Sequence, residues 1–330
     1  MNRIYWTLTC PLFTVNKLNT LLMAQGRFAE VGVAPATRVT RSAQLKRYNR
    51  FCKEFTCKRF PCSAKQACLY ATHLSEKLAP VSIRNYISGV WYFQKLKGFP
   101  DFSEDFILKQ TLNGIERSEG GEKLERYPLS PSDMLNMFKL LNMNNQDDLL
   151  FWVSALLGFR GLLRICHMTA SRHNITAASV HFHTGYVQIR VNSAKNNQFG
   201  RFNYSVYLQD MPGSPWCLRA LLSGLALGIQ GVDPIVSYRL GRICFPLEYS
   251  TVNDKLKMLA SRLGLPVGRT STHSFRHGGS TMLSNLNMPV EHIMRKGNWR
   301  SGVVRRYLHQ SSDEGFRLES IPCAHLMNVI

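Results

Sequence analysis

The chain has 330 residues, of which 45% are hydrophobic and 19% charged, which excludes a disordered polar tail and leaves room for two domains with cores of their own. Lys and Arg number 41 against 21 Asp and Glu, a formal net charge of +20, and an excess of that size points to a polyanionic partner rather than to solubility alone. With no lipidation motif and no apolar run of roughly eighteen residues, that partner is expected to be other than a membrane.

The first residues, Arg3 followed by Ile4 to Phe13, weakly mimic a secretory leader. They have one early positive charge, an internal proline and no clear small-residue cleavage site. Residues 1–34 therefore read as a flexible N-terminal arm or an extension of the gene model. The nine cysteines are odd in number and irregular in spacing, so a secreted disulfide framework is not expected, and reduced thiols inside a cell fit better.

Residues 35–117 read as a basic helical bundle. Thr37 to Phe55 places Leu45, Tyr48, Phe51 and Phe55 on one face and Arg41, Lys46, Arg47, Arg50 and Lys53 on the other. A second helix is expected over Lys65 to Leu78. A third starts at Pro80, which suits a first helical turn, and repeats Ile83, Tyr86, Ile87, Val90 and Phe93. A fourth covers Glu104 to Arg117. Cys52, Cys57, Cys62, Cys68 and His73 fall close together, but a zinc site wants tighter Cys-x₂₋₄-Cys pairs. Cys52 and Cys57 also read as lying in one helix, so no metal is expected.

Residues 118–127, with Ser118-Glu119-Gly120-Gly121, form the linker candidate. A second domain follows over 128–330. Ser130 and Asp133 are spaced to cap its first helix. Leu156 to Met168 reads as a mostly buried helix carrying two arginines, Arg160 and Arg164, and a buried charge needs a partner or a ligand. Val187, Ile189 and Val191 alternate with polar residues, then turn residues from Asn192 to Gly200, then Tyr204, Val206 and Leu208 alternate again. That is a β-hairpin with Lys195 near its tip, inside a three-stranded region from about Val180 to Leu208. The fold class is thus mainly α with a small antiparallel sheet (α+β).

The most informative stretch comes last. His273-Ser274-Phe275-Arg276-His277 is followed by Gly297-Asn298-Trp299 and Arg305-Arg306-Tyr307. His273 and Arg276 share a face if the segment is helical. Arginine presents a planar fork of donors to a phosphate and histidine moves protons near neutral pH. A tyrosine delivered to such a site could attack a phosphodiester.

This order of motifs resembles the C-terminal box of the tyrosine recombinases, the phage-integrase family. HSFRHGGST followed by GNWRSGVVRRYL is similar in wording to the branch found in eukaryotic transposons of the crypton and DIRS types. The resemblance extends upstream, where Leu163-Arg164-Ile165 stands at the family's first arginine and Ser193-Ala194-Lys195 at its hairpin lysine. Arg164 is the first choice for that arginine and Arg160 the alternative.

By that resemblance, residues 35–117 are a core-binding domain and 128–330 a catalytic domain, the two forming a clamp around duplex DNA. Tyr307 is expected to attack, leaving a 3′-phosphotyrosyl link, while Arg164 and Arg276 grip the non-bridging oxygens. Lys195 is expected to protonate the 5′-hydroxyl and His273 to assist at Tyr307. Arg41, Arg47, Arg50, Lys53, Arg305 and Arg306 are expected to hold DNA. No cofactor or metal is required, the assembly is a homotetramer on paired sites, and the compartment is the nucleus.

Two positions depart from the family pattern. His167 stands where an acidic residue is usual. The usual His or Trp, nine residues before Tyr307, falls on Asn298, with Trp299 next to it (307 − 9 = 298); either could serve. A DNA-binding remnant that no longer cuts, and a type IB topoisomerase, are the competing readings.

Overall fold

The computed structural model describes residues 12–121, 125–171, 173–192 and 204–299. It divides between Lys123 and Leu124 into two compact units, a boundary inside the stretch read as linker.

Among the described residues the first unit contains five helices: α1 (Leu12–Val31), α2 (Pro35–Glu54), α3 (Ala64–Ser75), α4 (Pro80–Leu96) and α5 (Phe106–Ser118). The segment read as an arm therefore carries a helix, α1, with Leu21, Met23 and Phe28 exposed. Tyr48, Phe51, Tyr70, Leu74, Ile83, Val90 and Leu108 form the core. Phe55, expected on the apolar face of α2, stays 53% exposed because the helix ends before it.

Thr56 follows in the left-handed region (φ 50) and the Cys57 amide reaches back to the Cys52 carbonyl at 2.9 Å, the closing bond of a Schellman-type terminus. Cys57 thus lies beyond the helix, not within it as the sequence suggested. Gly89 lets α4 approach α2, since a Cβ there would lie 2.3 Å from Gln44 Oε1.

The second unit opens with α6 (Pro131–Lys139), α7 (Gln146–Phe159), and the antiparallel sheet β1 (Val180–His183), β2 (Tyr186–Val191) and β3 (Tyr204–Gln209) in the order β1-β2-β3. Next come α8 (Leu218–Ala226), the hairpin β4 (Ser237–Leu240) and β5 (Ile243–Pro246), then α9 (Tyr249–Arg262), α10 (His273–Asn285) and α11 (Val290–Lys296). The α6 cap is reciprocal: Ser130 Oγ accepts from the Asp133 amide and Asp133 Oδ2 from the Ser130 amide. In β2 the predicted alternation places Val187, Ile189 and Val191 in the core.

Two features of the second unit differ from the sequence reading. The β4–β5 hairpin was not anticipated; its strands have four residues each and Leu240, Ile243 and Phe245 stay exposed. The expected helix over Leu156 to Met168 breaks at its middle. α7 stops at Phe159, Leu162 adopts a left-handed conformation (φ 48), and Arg164 is extended (φ −78, ψ 147) before a single 3-10 turn, Ile165–His167. Among the described residues no helix is long and apolar enough to cross a membrane.

Candidate active site

The site is built where the broken end of α7 meets the start of α10. The seam between these helices is held close by glycines. A Cβ at Gly279 would lie 2.0 Å from the Phe159 carbonyl oxygen, one at Gly278 1.9 Å from that of Leu129, and one at Gly158 3.0 Å from Phe275 Cβ. Residues 127–129 are stitched to the same corner, the Tyr127 amide donating to Arg269 O at 3.0 Å and the Leu129 amide to Ser274 O at 3.4 Å.

His273 is the first residue of α10, so His273 and Arg276 share a helical face one turn apart. Arg276 is 2% exposed. Its guanidinium donates to the carbonyls of Leu162 and Gly297, both at 2.5 Å, and lies 3.9 Å from the centroid of the Trp299 ring. One side chain therefore ties together the break after α7, α10 itself and the end of α11. A buried guanidinium is tolerable where carbonyls and a π-face satisfy it.

The end of α11 explains Asn298 and Trp299 separately. Asn298 takes the left-handed conformation (φ 50) that terminates the helix, and the Trp299 amide reaches back to Met294 O at 2.9 Å. The indole then folds over Gly297, where any Cβ would lie 1.9 Å from Trp299 Cζ3. Asn298 supplies the turn, and Trp299 supplies the ring stacked on Arg276.

The two candidate arginines have different surroundings. Arg160 is 4% exposed and donates to Trp216 O at 2.5 Å and to Gln209 O at 2.8 Å, joining α7 to β3 and to the start of α8; burial lowers its pKa to about 10. Arg164 is half-buried, and its Nη1 is sealed from solvent with no hydrogen-bond partner among the described residues. Its charge acts on His167, His273 and Tyr204, as does that of Arg276. The second cation of this corner is thus Arg164.

Both histidines here are held neutral. Burial, then Arg126, Arg276, His277 and Arg164, lowers His273 to about 4. Burial lowers His167 to about 4 as well, with Arg164 and Arg276 acting in the same direction. His167 Nδ1 lies 2.9 Å from His173 O, and a carbonyl only accepts, so Nδ1 carries the proton. The buried Nε2 is then a lone-pair acceptor near Arg164, a neutral counterpart to the acid expected at this position. Burial raises the Tyr204 phenol despite Arg276 and Arg164.

Tyr204 and Arg126 were not among the residues singled out from the sequence: an aromatic on an alternating strand reads as core, and Arg126 lies in a stretch read as linker. Lys195, Arg305, Arg306 and Tyr307 lie outside the described residues. Of the α2 cations, Arg50 and Lys53 are exposed, whereas Arg41 lies 3.7 Å from the Tyr92 ring centroid and Arg47 5.2 Å from that of Tyr86. Among the described residues no group of three His, Cys, Asp or Glu could hold a metal ion.

No protein-family model matches the chain, and no curated protein matches it in sequence. Solved structures do match. The XerH site-specific recombinase bound to palindromic difH substrate, in a post-cleavage complex, matches at TM-score 0.56 with 13% identity, over 76% of this chain and 70% of that one. A lambda integrase dimer bound to a COC′ core site matches at 0.55 with 13% identity, over 93% and 97%. The Tn1549 transposon integrase in complex with circular intermediate DNA matches at 0.53 with 14% identity, over 83% and 90%. The chain therefore has the tyrosine-recombinase fold, mainly helical with a small antiparallel sheet.

Proposed function

We propose that this protein cuts and rejoins duplex DNA as a site-specific recombinase of a mobile element, through a 3′-phosphotyrosyl intermediate. The observation that carries the reading is the meeting of Arg164, His273, Arg276 and Trp299, from three separate segments, in one corner of this fold. Structural neighbours caught on DNA support it.

In this reading Arg164 and Arg276 hold the two non-bridging oxygens of the scissile phosphate and offset the charge that grows there. Tyr307 Oη attacks phosphorus, its proton passing toward the neutral His273. The bond to the 5′ oxygen breaks and Lys195 supplies a proton to it. A 5′-hydroxyl from another strand then reverses the steps. The phosphodiester energy is kept in the tyrosyl link, so the chemistry needs neither ATP nor a cofactor. Arg305, Arg306 and the α2 cations Arg41, Arg47, Arg50 and Lys53 hold the duplex.

The wording HSFRHGGST and GNWRSGVVRRYL supports a crypton- or DIRS-like origin, a nuclear site of action and assembly as a tetramer on paired sites. A DNA-binding remnant is the second reading, favoured by His167 at a position usually acidic. Covalent trapping on a randomised pool of nicked duplexes separates the two. A detergent-resistant adduct formed by the wild type and not by Tyr307→Phe is the expected result. Salt-sensitive binding by both proteins with no adduct would establish the remnant.

A further inference from the structure

Tyr204 opens β3, paired with Val191 across the hairpin. Its ring packs against the main core of the second unit, yet its hydroxyl is sealed from solvent and has no hydrogen-bond partner among the described residues. The Arg164 Nη1 group is in the same condition. A buried polar group left unsatisfied is costly, so the two call for an explanation. Burial holds the phenol protonated, with the charges of Arg276 and Arg164 acting on it. The corner thus presents O–H and N–H donors that no described group satisfies, the lone pair of His167 Nε2 included. An acceptor with more than one oxygen and a negative charge would satisfy both.

We infer that Tyr204 is a catalytic residue that donates its hydroxyl to a non-bridging oxygen of the scissile phosphate, beside Arg164. This rests on the proposed strand-cleavage reading. Tyr204 is not a nucleophile in this scheme. Attack needs the phenolate, which this burial disfavours; donation needs the phenol, which it preserves. Transfer of the phosphoryl group remains the work of Tyr307, and no bond to Tyr204 forms or breaks.

The test is single-turnover adduct formation by the full chain on a nicked duplex. The scissile phosphate is normal or replaced by either methylphosphonate diastereomer, which exchanges one non-bridging oxygen for a methyl group. Tyr204→Phe should slow adduct formation on the normal phosphate by about 10², the size of one lost preorganised donor, with duplex affinity changed less than twofold. On one diastereomer the two proteins should react equally slowly. Equal rates on the normal phosphate, or the same loss on both diastereomers together with a lower melting temperature, would overturn the inference, the latter by marking a packing role.

If the wild type forms no adduct, the strand-cleavage reading fails. A 3-fluorotyrosine placed at position 204 then decides. A ¹⁹F shift on adding inorganic phosphate, lost in Arg164→Ala, would retain Tyr204 as an anion contact, and no shift would remove it.

Discussion

Arg160 and Arg164 stand four residues apart and make opposite commitments. Arg160 spends both terminal nitrogens on the carbonyls of Trp216 and Gln209. Arg160→Ala would strand one buried and one part-buried acceptor and open a hole in the core, and we expect a stability loss of about 2–4 kcal/mol in urea unfolding. Arg164 holds a buried nitrogen in reserve. Arg164→Ala should leave the urea midpoint nearly unchanged while slowing DNA adduct formation by about 10²–10³. The reverse pattern would exchange their roles. At the neighbouring pair, Trp299→Ala should lose more adduct-forming activity than Asn298→Ala, because only Trp299 rests on Arg276. Asn298→Gly should be close to neutral in both activity and stability, since glycine keeps the left-handed turn at little cost.

At the scale of elements the decisive object is the α7–α10 seam. Gly279→Ala would drive a Cβ toward Phe159 O and Leu162 Cδ2, the oxygen belonging to backbone that cannot rotate away. We expect a loss of at least 1–3 kcal/mol in thermal or urea unfolding, and a weaker site, since Leu162 O is one of the anchors of Arg276. How much of this was legible varied with the kind of signal. His273 and Arg276 were readable because helical spacing alone brings them together. The break after α7 was not. Gly161 hints at it, but the left-handed residue is Leu162, and Leu162-Leu163-Arg164 continues an apolar helical pattern without a proline. Tertiary burial of Leu162 overrides the local preference. The β4–β5 hairpin escaped for a related reason: four-residue strands with exposed apolar side chains carry no clear period. Tyr204 was read only as a strand residue, because sequence does not say which core hydroxyl will lack a partner.

Across the whole molecule, charge and burial pull on stability and binding in separate ways. The net charge of +20 should make duplex affinity fall steeply with salt, log affinity against log salt having a slope of about −0.9 for each phosphate neutralised. A flat response would contradict DNA as the partner. Stability should depend on pH through the buried imidazoles. His167 and His277, with His273, are held to about 4 in the folded protein, chiefly by burial, while an unfolded histidine takes up its proton near 6.5. Between those values the unfolded chain binds more protons, so stability is fully present above about pH 6.5 and declines as pH falls toward 4. We expect the melting temperature to drop over that window, and less so in His277→Gln. A melting temperature constant from pH 7 to 4 would show that these rings are solvated.

The stack of Trp299 on Arg276 also makes the site visible. An indole with a cation 3.9 Å from its ring centroid should have its emission shifted by that charge, and the charge is one that a phosphate would attract. The chain has five tryptophans, so the difference spectrum between wild type and Trp299→Phe isolates this one. Its change as DNA arrives would time the capture of the phosphate separately from the cut, with no dye attached.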